Sequence, residues 1–171
     1  MLNYRIIPVT AGDYRALAEK RLPRFLFDYI DGGSGEEISM ARNLADLAEI
    51  RLEQRVMRDV GEVGTATELM GQKVAMPLAL APVGLAGMYR RRGEAQAARA
   101  AKSSGVPFAT STVGICPVEE VQEAAGGEAW FQLYMLRDRS VVDAMLERAR
   151  RAGCKTLVFT VDLPATGKRY R

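Results

Sequence analysis

Residues 78–109 read LALAPVGLAGMYRRRGEAQAARAAKSSGVPFA. The stretch opens on a short apolar run, Leu78 to Ala81, and passes through a loop rich in proline and glycine. It then enters an alanine-rich segment from Glu94 to Ser104 and closes on a second apolar run, Val106 to Ala109. Runs that are apolar on both faces suit strands buried in a parallel sheet. Alanine over three turns suits a helix. The unit is therefore strand, helix, strand, and two architectures repeat it. A doubly wound open sheet that binds a dinucleotide carries GxGxxG after its first strand, but here APVGLAG stands in that place. The rival is a (β/α)8 barrel.

Reading forward, the alternation continues. Pro117 to Ala125 predicts a helix that starts on proline and stops at Gly126-Gly127. Trp130 to Tyr134 is a third strand. Ser140 to Ala152 is a helix with a Ser140/Asp143 capping box and a Gly153 stop, and Thr156 to Val161 is a fourth strand. The strands open near 78, 106, 129 and 156, close to the roughly 31 residues per unit of an eight-unit barrel. The fold class expected is α/β, the first half of a TIM (β/α)8 barrel. Its two sheet edges would be sticky if left uncovered.

Reading backward, residues 1–77 predict helices and a hairpin, and 78–171 the four barrel strands. Thr10 and Asp13 form a capping box ahead of a Tyr14, Leu17, Ala18 stripe. Pro23 opens a second helix, RFLFDYI, stopped at Gly32-Gly33. A third helix runs from Glu36 to about Leu47 with Ile38, Ala41, Leu44 and Ala45 inward. TATELMGQKVAMP predicts a hairpin turning near Met70-Gly71.

The 171 residues are 48% apolar and 26% charged, a globular composition that argues against disorder. A net charge of +3 is too small to argue for nucleic acid. Cys116 and Cys154 form no CxxC pair and predict two buried free thiols in a reducing compartment. There is no histidine, so the commonest general base and zinc ligand is missing, and no metal cluster is expected. No apolar h-region stands at the N-terminus. The longest uncharged stretch, Val74 to Tyr89, is broken by Pro77, Pro82, Gly84 and Gly87 and is too short to span a bilayer.

In a barrel of this kind chemistry collects at the C-terminal ends of the strands. Those ends are Ala81-Pro82-Val83-Gly84, Thr110-Ser111-Thr112, Gln132-Leu133-Tyr134 and Thr160-Val161-Asp162. They offer small residues, hydroxyls, an amide and a phenol. Such a neutral wall suits a flat heteroaromatic ring whose edge alternates donors and acceptors. Equally, polar residues at strand ends are common in any barrel.

The stretches LPRFLFDYIDGG, LALAPVGLAGMYRRRGE, STVGICPVEEV, WFQLYMLRDR and TLVFTVDLPATGKRYR together resemble the FMN-dependent L-2-hydroxy acid dehydrogenase/oxidase family, in its order and spacing and over nearly the whole chain. The resemblance is strongest to its membrane-associated bacterial lactate dehydrogenase branch. It implies oxidation of an L-2-hydroxy acid, L-lactate to pyruvate, with electrons passed to quinone. The alternatives are mandelate or another 2-hydroxy acid with oxygen as acceptor, or a non-catalytic half-barrel that binds or assembles. It implies FMN as cofactor, approached by the backbone of Ala81, Pro82, Val83 and Gly84 and hydrogen-bonded by Ser111, Gln132 and Thr160. Tyr134 is implied as the catalytic phenol that also contacts substrate. Tyr29 and Arg169 are implied to hold the substrate carboxylate, while Lys168 and Arg171 read as solvated charges. Val113 departs from the tryptophan of glycolate oxidase-like members.

The family's histidine base, a second substrate arginine and the FMN phosphate loops belong to its C-terminal half. The expectation is therefore that residue 171 borders a proteolytic cut or a gap, with the C-terminal half of the same polypeptide as partner. The resemblance further implies a homotetramer and a peripheral location on the cytoplasmic side of the inner membrane. Arg90-Arg91-Arg92 would add attraction to anionic lipid, or simply cap the helix that follows.

Overall fold

The computed structural model describes residues 7–162 and 167–170. Arg171, read as a solvated charge, and residues 163–166 of the stretch TLVFTVDLPATGKRYR lie outside the described residues. The chain divides into two compact units, one drawn from Met1–Val56 and Ala165–Arg171, the other from Met57–Pro164.

The first unit holds three helices. α1 spans Ala11–Arg21 and begins as expected: the Thr10 hydroxyl accepts from the Asp13 N–H, and the Asp13 carboxylate accepts from the Thr10 N–H at 2.9 Å. α2 spans Arg24–Asp31, entered from Pro23 and ended at Gly32, with Phe27 buried. Arg15 joins the two helices through an ion pair to Asp31 while its guanidinium lies 5.6 Å from the Phe27 ring centre. α3 spans Ile38–Glu49. The expected inward stripe is not covered: Ile38, Ala41, Leu44 and Ala45 are exposed, and Tyr14 on α1 is too. An apolar stripe records that a helix face is to be covered. It does not say by what, and no described residue covers this one.

The second unit starts with the hairpin. β1 (Thr67–Leu69) pairs antiparallel with β2 (Gln72–Val74), Leu69 opposite Gln72. The two turn residues, Met70 and Gly71, both take positive φ, 50° and 78°. That is the two-residue turn whose twist matches the strands it joins.

The sheet follows. β3 (Ala109–Ser111), β4 (Trp130–Tyr134) and β5 (Leu157–Thr160) run parallel in sequence order. The run Leu78–Ala81 contributes one bridge, Leu80 opposite Phe108, and not a full strand. β3 begins three residues later than the apolar run predicts. Pro107 has no N–H to donate to a ladder, so the run serves the sheet by its carbonyl, which accepts from Leu80 at 2.8 Å, and regular pairing waits for Ala109. β4 lies where WFQLY places it. β5 is shorter at both ends than expected.

α4 (Ala86–Tyr89) and α5 (Gly93–Ser103) precede β3, α6 (Val118–Ala124) precedes β4, and α7 (Arg139–Arg151) precedes β5. α7 is capped two residues earlier than the sequence pattern predicts. Asp138, not Ser140, is the N-cap, and its carboxylate accepts from the Ser140 N–H at 2.9 Å and hydroxyl at 2.7 Å. Of the three arginines before α5, Arg92 is committed to an ion pair with Glu120 of α6. Both thiols are half-buried, less enclosed than expected.

Two apolar clusters hold these helices on one face of the sheet. Ala98, Ala101, Val106, Phe108 and Val121 join α5 and α6 to the run that leads into β3; Phe131, Leu133, Val142 and Ala149 join α7 to β4. The hairpin sits at the opposite end of the strands from the residues discussed next. There the Trp130 indole N–H donates to Gln72 at 3.0 Å, and the Ala75 N–H donates to the Gly105 carbonyl at 2.8 Å.

Candidate functional site

Register decides which side chains meet. Ser111 lies opposite Gln132, Gln132 opposite Val158 and Tyr134 opposite Thr160. Partners across a parallel ladder share a face, and alternate residues along a strand return to it. Ser111, Gln132, Tyr134 and Thr160 therefore share one face, and the intervening Phe131 and Leu133 take the helix-covered face. Four of the residues picked out from sequence are thus brought together by the pleat.

They are also bonded to one another. The Ser111 hydroxyl donates to the Gln132 side-chain carbonyl at 3.0 Å, and the Gln132 side-chain amide donates to Thr160 Oγ1 at 2.9 Å. The amide can point only one way. The Thr112 backbone N–H, which can only donate, is 3.2 Å from Gln132 Oε1 and claims that oxygen. Gln132 is 1% exposed, so this row is a fixed part of the interior. Its carbonyl end is filled twice over. Among the described residues, one amide hydrogen of Gln132 and the Thr160 hydroxyl proton have no acceptor and remain to donate elsewhere.

Thr112 was not singled out by sequence reasoning. Its hydroxyl donates to the Gln132 backbone carbonyl at 2.6 Å and accepts from the Tyr134 N–H at 3.0 Å. A side chain thus continues the ladder past the end of β3 and holds Tyr134 in line. The run Thr110-Ser111-Thr112 was the available signal. Tyr134 itself is half-buried at the strand tip.

The segment Ala81–Gly84 runs alongside. Leu85 N–H donates to the Val113 carbonyl at 3.0 Å, and a Cβ on Gly84 would stand 2.8 Å from Val113 Cγ2. Only glycine allows that approach. Ala81 and Val83 are exposed, Pro82 and Gly84 half-buried. The loop therefore presents backbone and small groups beside the polar row.

In the first unit, Tyr29 and Arg169 meet although they are 140 residues apart in sequence. Arg169 Nη1 donates to the Tyr29 and Gly32 carbonyls, both at 2.6 Å, and the guanidinium lies 4.7 Å from the Tyr29 ring centre. A cation is thereby set on the last carbonyls of α2, where the helix dipole favours it. The Nε and Nη2 edge has no partner among the described residues, and that edge is the one that takes a carboxylate with two parallel bonds. Lys168 is exposed, and its carbonyl accepts from the Gly35 N–H.

The polar row fits a flavin ring edge. It is neutral, it keeps donors in reserve, and it is flanked by the small-residue segment Ala81–Gly84, where Gly84 packs on Val113. Comparisons with known proteins bear on the family. L-lactate dehydrogenase of Xanthomonas campestris pv. campestris (strain 8004) is 59% identical over 161 residues, 94% of this chain and 42% of that protein. L-lactate dehydrogenase of Ectopseudomonas mendocina (strain ymp) is 57% identical over 159 residues, 93% of this chain and 42% of that protein. The chain thus spans about two-fifths of the length of these relatives. Among solved structures, a mandelate oxidase variant with 2-hydroxy-phenylacetamide superposes with a TM-score of 0.88 at 37% identity, covering 95% of this chain and 48% of that one. A mandelate oxidase variant carrying a C4a-OH-FMN adduct superposes with a TM-score of 0.86 at 38% identity, covering 92% and 48%. The family model described as FMN-dependent dehydrogenase matches residues 18–171, which takes in the polar row, the Ala81–Gly84 segment and the Tyr29–Arg169 pair alike; the chain belongs to the FMN-dependent dehydrogenase family.

Proposed function

We propose that this chain is the N-terminal part of an FMN-dependent L-2-hydroxy acid dehydrogenase that oxidises L-lactate to pyruvate. The observation that carries the reading is the bonded row Ser111–Gln132–Thr160 with Tyr134 on the same face. Lactate is favoured over mandelate because the lactate dehydrogenases are 57–59% identical to the chain and the mandelate oxidases 37–39%.

In this reading the parallel strands are the first half of a TIM (β/α)8 barrel. Residues 1–77 precede it, residues 78–171 begin it, and the C-terminal part of the same polypeptide completes it. FMN supplies the electron sink for the reaction. Ser111, Gln132 and Thr160 hydrogen-bond the ring edge, Ser111 also holding Gln132 in orientation, and Ala81, Pro82, Val83 and Gly84 bring backbone against the ring. Tyr134 is the catalytic phenol, donating to the substrate oxygen as charge develops there. Tyr29 and Arg169 take the substrate carboxylate. No residue here serves as a histidine base, since the chain has none.

The reading extends to quinone as electron acceptor, to a homotetramer, and to a peripheral place on the cytoplasmic side of the inner membrane. No helix among the described residues is long and apolar enough to cross a membrane. The deciding experiment is anaerobic addition of L-lactate to the purified full-length protein. Bleaching of the flavin absorption bands is the expected result, and an unchanged spectrum sinks the proposal in favour of a binding or assembly role. The mandelate oxidase neighbours make a second measurement worthwhile. Stoichiometric hydrogen peroxide during aerobic turnover would assign an oxidase in place of a quinone-linked dehydrogenase.

A further inference from the structure

Glu94 is 1% exposed, in the first turn of α5, and takes no part in the roles above. Its Oε1 accepts from two backbone donors, Ile115 N–H at 2.8 Å and Gly87 N–H at 3.1 Å. These belong to the loop regions that follow two successive strand ends. Gly87 lies in the short helix α4 within the region after Ala81–Gly84, and Ile115 lies in the loop after β3. The two loop regions touch at the same place: a Cβ on Gly87 would lie 2.6 Å from Ile115 Cβ. The second carboxylate oxygen, Oε2, is buried, and no N–H or hydroxyl among the described residues reaches it; the weakly donating Cys116 thiol is the carboxylate's neighbour. A buried carboxylate is costly to keep unless hydrogen bonds hold it.

Burial raises the Glu94 pKa. The N–H groups of Ile115 and Glu94 itself, the neighbouring Cys116 thiol and the Gly87 N–H outweigh that, and the net position is below the ordinary glutamate value. The group is thus an anion held by backbone donors.

We propose that Glu94 is a positioning residue: one carboxylate oxygen fixes the spacing between the two loops that meet the flavin ring. The proposal rests on the functional reading above and adds to it the part that sets the geometry of the ring's surroundings. Glu94 touches neither ring nor substrate.

Two substitutions separate the tie from the charge. Glu94→Gln keeps an acceptor oxygen in place and removes the charge. Glu94→Asp keeps the charge and withdraws the oxygen by one carbon–carbon bond, about 1.5 Å, so that it no longer reaches both donors. In the full-length protein, stripped of flavin, FMN affinity is read from quenching of free-flavin fluorescence, and ring geometry from the visible circular dichroism of the bound flavin. Glu94→Gln should bind within about threefold of wild type, and Glu94→Asp at least about fivefold more weakly, with an altered dichroism spectrum. Should Glu94→Asp fail to fold, Gly87→Ala tests the same spacing from the other side, and it too should weaken binding and alter the spectrum. Wild-type dichroism and affinity in Glu94→Asp or in Gly87→Ala would overturn the role, as would Glu94→Gln binding more weakly than Glu94→Asp. A wild-type protein with no measurable FMN affinity would instead overturn the functional reading beneath it.

Discussion

Tyr134→Phe keeps the ring at the tip of β4 and removes one hydroxyl. If that hydroxyl acts chiefly on developing charge, kcat and kcat/KM should fall together by about 10²–10³ in the full-length enzyme, with flavin content unchanged. Near-normal kcat would make Tyr134 a packing residue. Gln132 predicts differently, because it is both buried and a hub. Gln132→Met fits the space but orphans the Thr112 N–H, so stability should drop by about 2 kcal/mol in chemical denaturation. FMN affinity should fall with it, and a variant as stable as wild type would show the row to be incidental. For the thiols, burial raises the pKa of both Cys116 and Cys154, helped at Cys116 by Glu94 and at Cys154 by Glu119. A raised thiol pKa means less thiolate at any pH below it. Both should react with iodoacetamide more slowly than free cysteine at pH 8, with the rate still climbing above the ordinary thiol value of about 8.5.

At the scale of elements, the hairpin turn offers the cleanest test. Met70 holds φ 50° and is exposed, so it bears left-handed backbone without packing in return. Met70→Asn should stabilise the second unit by up to about 1 kcal/mol, seen as a higher denaturation midpoint. No gain would mean that Met70 packs on residues beyond this chain. The hairpin was legible because Gly71 and the flanking alternation both point to it. β4 was legible to the residue, since WFQLY alternates between a glycine pair and an aspartate. β3 was not, because apolar character and ladder pairing part company at Pro107. The α7 cap was misread because Asp138 and Ser140 are both good caps and only backbone geometry chooses. At the site, strand-end positions of Ser111, Gln132 and Thr160 could be read from sequence, but the bonds among them could not, nor could the work of Thr112 and Glu94. Those depend on register and on loops meeting, which no local pattern encodes.

At the scale of the whole molecule, what matters is what stays uncovered. Leu157 and Phe159 lie on the helix side of β5, yet are 50% and 47% exposed. α7 covers their counterparts Phe131 and Leu133 on β4. If the barrel reading holds, further residues of the full-length protein cover β5. Hydroxyl-radical footprinting should then oxidise Phe159 much less in the full-length protein than in residues 1–171 alone, and equal oxidation would contradict the half-barrel. Acid should act on the whole as well. Glu94, as described, and Glu119, held low first by its side-chain hydrogen bond to Arg148, both have folded pKa values below the ordinary one. Their contribution is full above the unfolded value near 4.3 and is lost as pH falls through the folded value. The denaturation midpoint should therefore change little from pH 7 to about 5 and drop below about 4. A midpoint that fell between pH 7 and 5 would point to other groups.

The close approach of Gly84 to Val113 and of Gly87 to Ile115 also bears on inheritance. Every missense change that one nucleotide can make in a glycine codon adds a Cβ, and at these two positions that carbon would stand 2.8 Å and 2.6 Å from a neighbouring side chain. A saturation library of the gene should leave these two codons depleted of fully active missense alleles, while the codons of exposed Val83 and Met88 on either side of them accept many.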